Sequence, residues 1–129
     1  MVVEEVPPPG DRVGDDEIME AGVYTWLLSE NLLYGDTLVA FLFGLDPAQT
    51  TRGLPIEAYL ERVHKDDIQN ARALINTAVL DGLPYQTEYR VMDLNGEYYR
   101  VIALGRCFQD RNMMPVIYSG IVYPTSQLE

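Results

Sequence analysis

Residues 85–123 read YQTEYRVMDLNGEYYRVIALGRCFQDRNMMPVIYSGIVY, a run rich in β-branched and aromatic side chains that breaks at two turn signals. Asn95-Gly96 marks the first, and the polar stretch from Asp110 to Asn112 marks the second. Three strands follow: Tyr85 to Asp93, Glu97 to Phe108 and Met114 to Tyr123, joined as an antiparallel meander. If Leu94-Asn95-Gly96 closes as a three-residue bulged loop, Tyr89 and Val91 share one face with Tyr99, Val101 and Ala103. Glu88, Arg90, Tyr98 and Arg100 then share the opposite, outward face.

Upstream of the meander the period changes from two to 3.6. Ile68, Ala71, Leu74, Ile75, Ala78 and Val79 fall on one side of a helix from about Asp66 to Asp81, with Asp66 and Gln69 placed as a capping-box pair and Gly82 as its stop. Pro55 suits a first helical position, and Ile56, Tyr59, Leu60 and Val63 follow at the spacing of one buried face. Asp36 can cap a short helix through Phe43, with Leu38, Phe41 and Leu42 as its inner stripe and Gly44 as its left-handed end. Val23 to Leu28 reads as a strand, and Asn31 to Tyr34 as its hairpin partner across Ser29-Glu30. The sum is an α+β domain, a five-stranded antiparallel sheet with short helices and one long helix covering one face.

The remainder of the chain bounds the function. Its 129 residues suit one domain. Twenty acidic against nine basic residues give a charge of −11, which opposes the counterion-release attraction of phosphate backbones, so nucleic acid is not expected as a partner. Much of the acidity lies in a leader over 1–21, where Pro7, Pro8 and Pro9 read as an extended segment and Val13 to Ala21 can form a short helix. No apolar run approaches the ~20 residues of a membrane helix and no secretory signal pattern stands at the start, so a cytoplasmic domain without membrane contact is expected. Cys107 is the only cysteine, so neither an internal disulfide nor a cysteine-based metal site is available.

This arrangement resembles the PAS domain, in the branch with a His-Pro-Asp-Asp-like element before the long helix and a Glu-Tyr-Arg strand after it. The residues that carry the resemblance are Phe43-Gly44-Leu45-Asp46-Pro47, Val63-His64-Lys65-Asp66-Asp67, Glu88-Tyr89-Arg90-Val91 followed by Asn95-Gly96, and Ser119-Gly120-Ile121-Val122. It covers residues 22–123, leaving a tail over 124–129 whose Leu128-Glu129 resembles a cloning scar. Lys65 stands where the family usually has proline, no tryptophan follows Arg100 in the Tyr99-Arg100-Val101-Ile102 strand, and Pro124 stands where an Asp-Ile-Thr-like end usually begins. The aspartate that links the sheet to an output helix in similar domains is therefore missing.

The resemblance implies a sensory module of a larger signalling protein, with a small-molecule ligand in an inner cavity and an output domain such as a histidine kinase or cyclic-dinucleotide enzyme. On the inner side, Tyr24, Trp26, Phe41, Tyr59, Ile75, Tyr118 and Val122 join Tyr89, Val91, Tyr99 and Val101 as the expected cavity lining. The competing reading is a filled core, since aromatics most often pack. Several tyrosine hydroxyls on one inner face favour a cavity, because each needs a partner when buried.

Cofactor-bearing relatives set sharper requirements. A flavin-binding light sensor would show an Asn-Cys-Arg-Phe-Leu-Gln-like box on a helix, whereas Cys107 belongs to a strand. A haem sensor needs an inward histidine on the long helix, whereas His64 precedes it and suits the organisation of its start together with Asp66. Haem and flavin are thus not expected. No Gly-x-Ser-x-Gly, Walker-type or His-Glu-x-x-His pattern occurs, and Asp66 and Asp67 point in different directions, so no enzyme is expected. A ligand-free interaction module is the second reading, with the outer face around Tyr98, Ile102 and Leu104 packing on the N-terminal segment or on a second copy as a homodimer.

Overall fold

A computed structural model of the chain describes residues 20–125. The elements are β1 (Gly22–Leu27), β2 (Leu32–Gly35), α1 (Thr37–Phe43), α2 (Pro47–Arg52), α3 (Ile56–Leu60), α4 (Ile68–Asp81), β3 (Tyr85–Met92), β4 (Tyr98–Gln109) and β5 (Pro115–Pro124). The expected leader helix over 13–21 lies, but for its last two residues, outside the described residues.

All five strands form one antiparallel sheet in the order β2-β1-β5-β4-β3. The meander closes as expected: Tyr89 faces Val101 and Val91 faces Tyr99, while Gly96 takes the left-handed conformation (φ 83°) at the end of the three-residue loop. The Asp93 carboxylate accepts from the amides of Asn95 and Glu97 and holds that loop together. The pairing of β1 with β5 brings residues about 95 positions apart into register, Trp26 opposite Tyr118 and Tyr24 opposite Gly120. It sets the first hairpin beside the meander and leaves the sheet with one face under the helices and one face outward.

Three helix expectations are corrected. In α1 the buried residues are Val39, Ala40, Leu42 and Phe43, and Phe41 is 66% exposed, pointing away from the sheet. The cause is Asp36, whose carboxylate accepts from the amides of both Val39 and Val23 and so ties the first turn to β1. Val39 is thereby driven against Gly22 and Gly35, where any added Cβ would collide with it. Phe41, two residues on and ~200° around the helix, faces water. In α4 the Asp66–Gln69 capping box does not form, because the residue at the cap is Asp67 and its carboxylate is committed to Arg90 at 2.9 Å from both Nε and Nη2. Helix α2 is an addition to the expected elements, capped by Asp46 through the amide of Ala48 and opened by Pro47.

Arg62 contributes a further tie. Its guanidinium donates to the carbonyls of Phe43 (2.8 Å), Met92 (3.1 Å) and Asp93 (3.0 Å), joining the end of α1 to the β3–β4 loop.

Candidate functional site: an aromatic cavity under the sheet

The pleat of the sheet places Tyr24 and Trp26 of β1, Tyr118 and Val122 of β5, Ala103 of β4, and Tyr85 and Tyr89 of β3 on the face that meets the helices. Val39 and Phe43 of α1, Tyr59 and Leu60 of α3, and Ala71 and Ile75 of α4 close over them. Between the two layers lies a cavity of about 50 Å³. Drug-sized ligand sites run to roughly 300 Å³ or more, so most of this interior is filled by side chains and the space left suits a few waters or one small molecule.

Tyr118 is the hub of the lining. Its ring lies 6.2 Å from that of Tyr24 in a stacked arrangement, and the rings of Trp26 (6.2 Å) and Tyr85 (5.7 Å) meet it edge-on. Phe43 meets Tyr59 and Tyr89 on the helical side. Gly105 makes room for this packing, since a Cβ there would stand 2.6 Å from the Tyr24 hydroxyl and 2.9 Å from the Tyr118 ring.

The tyrosine hydroxyls divide into two groups. Tyr24 donates to the Leu104 carbonyl (3.0 Å), Tyr59 to the Leu33 carbonyl (2.9 Å) and Tyr99 to the Leu42 carbonyl. The Tyr118 hydroxyl is shut off from solvent and has no hydrogen-bond partner. It lies near enough to the Tyr24 hydroxyl to influence its ionisation without meeting hydrogen-bond geometry. Among the described residues, no hydrogen bond engages the hydroxyl of Tyr85 or Tyr89. Burial is the main cause that pushes the phenols of Tyr24, Tyr85, Tyr89 and Tyr118 well above their ordinary pKa, and it pushes those of Tyr59 and Tyr99 up to about 12. All of these groups stay protonated at neutral pH.

Of the residues expected to line the cavity, Tyr24, Trp26, Tyr59, Ile75, Tyr89, Tyr118 and Val122 do so. Val91 and Val101 are fully buried on the same face but lie outside the lining, Val91 at the bridge to Val63. Tyr99 closes one end of the core through the Leu42 carbonyl, and Phe41 faces outward. Tyr85 is the consequential residue missed: it shares the parity of Tyr89 in β3, so the period-two pattern already pointed to it. Phe43 was missed because the α1 stripe was turned by one residue.

A surface cleft of about 280 Å³ lies beyond one wall, between α3, α4 and the β1–β2 turn. Trp26, Ile56, Leu60 and Ile75 line both spaces and form the partition between them. Asn31 braces this wall in a left-handed conformation (φ 51°), accepting from Trp26 Nε1 (2.9 Å) and donating to Glu57 (3.0 Å). The bond donated by Asn31 is the main cause that holds the Glu57 carboxyl below the usual carboxylate range.

Elsewhere, His64 Nδ1 accepts from the Asp66 amide (3.0 Å), organising the approach to α4, and Cys107 is buried on β4 with its thiol pushed up by desolvation. Among the described residues no group of three metal-ligating side chains converges, and no helix is long and apolar enough to cross a membrane.

A family model of the PAS fold matches residues 33–122. The fold is similar to that of the N-terminal domain of a diguanylate cyclase with PAS/PAC sensor from Marinobacter aquaeolei, at 15% identity, covering 83% of this chain and 96% of that one with a TM-score of 0.74. A sensory box histidine kinase/response regulator from Burkholderia thailandensis aligns at 18% identity over 84% of this chain and 79% of that one, TM-score 0.71. The PAS domain of a protein from Colwellia psychrerythraea aligns at 15% identity over 89% and 94%, TM-score 0.62. No curated protein matches the chain.

Proposed function

Since the chain belongs to the PAS fold family, we propose that residues 22–123 are the sensory domain of a larger signal-transduction protein, binding a small molecule in the cavity under the sheet and biasing attached output domains. The observation that carries this reading is the buried aromatic cavity whose lining includes a tyrosine with a buried, unpartnered hydroxyl. A packed core normally satisfies such a group, and a ligand or water seated there would do so. A ligand bound between the helices and the sheet changes the relative stability of their packings, which is the differential affinity a population shift requires. The likeness to PAS domains of a diguanylate cyclase and a sensory histidine kinase supports an output of those classes.

The test is mass spectrometry of the freshly purified protein under native and then denaturing conditions, with an absorption spectrum of the same sample. A stoichiometric extra mass that disappears on denaturation is expected. A bare protein that gains no stability from any fraction of its host's small-molecule extract would overturn the reading.

A second reading is homodimerisation through the outer sheet face, and a specific feature favours it. Val23, Tyr98 and Phe108 are exposed there, and Ile102, Leu104, Ile117 and Ile121 are only partly covered, forming an apolar band across β1, β5 and β4. Leu104→Arg is expected to shift a dimer to a monomer in analytical ultracentrifugation while leaving the fold intact. A wild-type monomer at high concentration removes this reading.

A further inference from the structure

The cavity's chemistry narrows what it can hold. None of the residues lining it is charged, so an ion inside would lose its hydration without gaining a countercharge. Its donors are fixed in advance: the Tyr118 ring is held by Tyr24, Trp26 and Tyr85 on three sides, and the residue is only 3% exposed. The Tyr24 proton is already committed to the Leu104 carbonyl and the Tyr59 proton to the Leu33 carbonyl, which leaves the hydroxyls of Tyr118, Tyr85 and Tyr89 unengaged around the same space, that of Tyr118 being shut off from solvent.

Resting on the ligand-binding reading above, we propose that the occupant is a small uncharged molecule with a hydrogen-bond-accepting oxygen, a ketone, ester or alcohol, seated on the Tyr118 hydroxyl. The volume of about 50 Å³ limits it to roughly four to six non-hydrogen atoms unless the Trp26–Ile75 wall moves. Burial raises the phenols far above neutrality, so they serve as donors throughout the physiological pH range. An occupant of the same shape without the oxygen leaves the Tyr118 hydroxyl unpaired and forgoes about fivefold to tenfold in affinity.

The experiment is an amide ¹H–¹⁵N NMR titration of the wild type and Tyr118→Phe with three probes: cyclopentanone, methylenecyclopentane and propionate. Cyclopentanone is expected to shift the amides of Tyr85, Ala103 and Tyr118 saturably in the wild type, and to bind Tyr118→Phe about fivefold to tenfold more weakly. Methylenecyclopentane should bind both proteins alike and more weakly than the ketone, and propionate should leave the cavity amides in place. The substitution keeps the ring and removes an unpaired hydroxyl, so a thermal midpoint equal to or above that of the wild type checks that the fold is intact. Equal ketone binding by both proteins, or hydrocarbon or propionate binding as tight as the ketone's, overturns the proposal while leaving a ligand-binding cavity. If no probe shifts the cavity amides, the cavity does not accept ligands of this size and the proposal falls with the reading it rests on.

Discussion

Replacing Asp67 by Asn tests whether the start of α4 is held to the sheet by charge. The Asp67 carboxylate accepts from Arg90 Nε, Nη2 and backbone amide, each at 2.9 Å, and these bonds join the helix start to β3. The hydrogen bond from the Arg90 side chain is the first cause that lowers the Asp67 carboxyl to about 2. Against an unfolded value of about 3.9, linkage sets an upper bound of about 2.5 kcal/mol. Both side chains keep water contact, at 21% and 30% exposure, so screening reduces the expected contribution to about 1–1.5 kcal/mol. Because the folded value is depressed, this stability is fully present above about pH 4 and is lost as pH falls through about 2. Urea unfolding of the wild type and Asp67→Asn at pH 7, 4 and 2 measures it, and comparing the two proteins cancels the acid response of the other carboxylates. The variant should be about 1–1.5 kcal/mol less stable at pH 7, with the gap narrowing towards pH 2. A gap that is absent at pH 7, or unchanged between pH 7 and pH 2, refutes the charge-based account.

Two further substitutions probe the frame around the cavity. Gly120→Ala places a methyl group against the Leu104 carbonyl and the Gly105 Cα of the adjacent strand, both backbone, so a loss of about 3 kcal/mol or more is expected by denaturant unfolding. Stability within 1 kcal/mol of the wild type would show that β4 and β5 can separate at that point. Arg62→Ala removes three bonds to main-chain carbonyls and should cost about 2 kcal/mol, with hydrogen exchange of the Asp93 and Glu97 amides accelerating ahead of the β1–β5 amides. Uniform acceleration across the sheet would instead mean that Arg62 contributes only to global stability.

Much of this architecture is written in short windows of sequence. The meander follows from alternation and from the Asn95-Gly96 loop, whose length sets the facing of Tyr89 with Val101. Gly44 and Gly82 end their helices in the left-handed conformation that glycine adopts without a Cβ penalty. Tyr24, Tyr59, Tyr89 and Tyr118 fall on the buried side for the same local reason, since a period of two or 3.6 assigns each side chain a face. Tyr85 is legible by the same rule, since it shares the buried parity of Tyr89 in β3.

Other features depend on partners far along the chain, and no local period contains them. Asp66 and Gln69 have the spacing of a capping box, but Arg90, 23 residues beyond Asp67, captures the carboxylate that occupies the cap. The facing of α1 was set by Asp36 bonding to β1, which turned Phe43 inward and Phe41 out. Periodicity likewise marks an inner face without measuring how much of it neighbouring rings fill. That the interior keeps only about 50 Å³, and that Tyr24 finds a carbonyl while Tyr118 finds none, was decided when β1 paired with β5 across some 95 residues. Hydrogen bonding and close packing are satisfied in three dimensions, and only the assembled sheet brings those atoms within reach of one another.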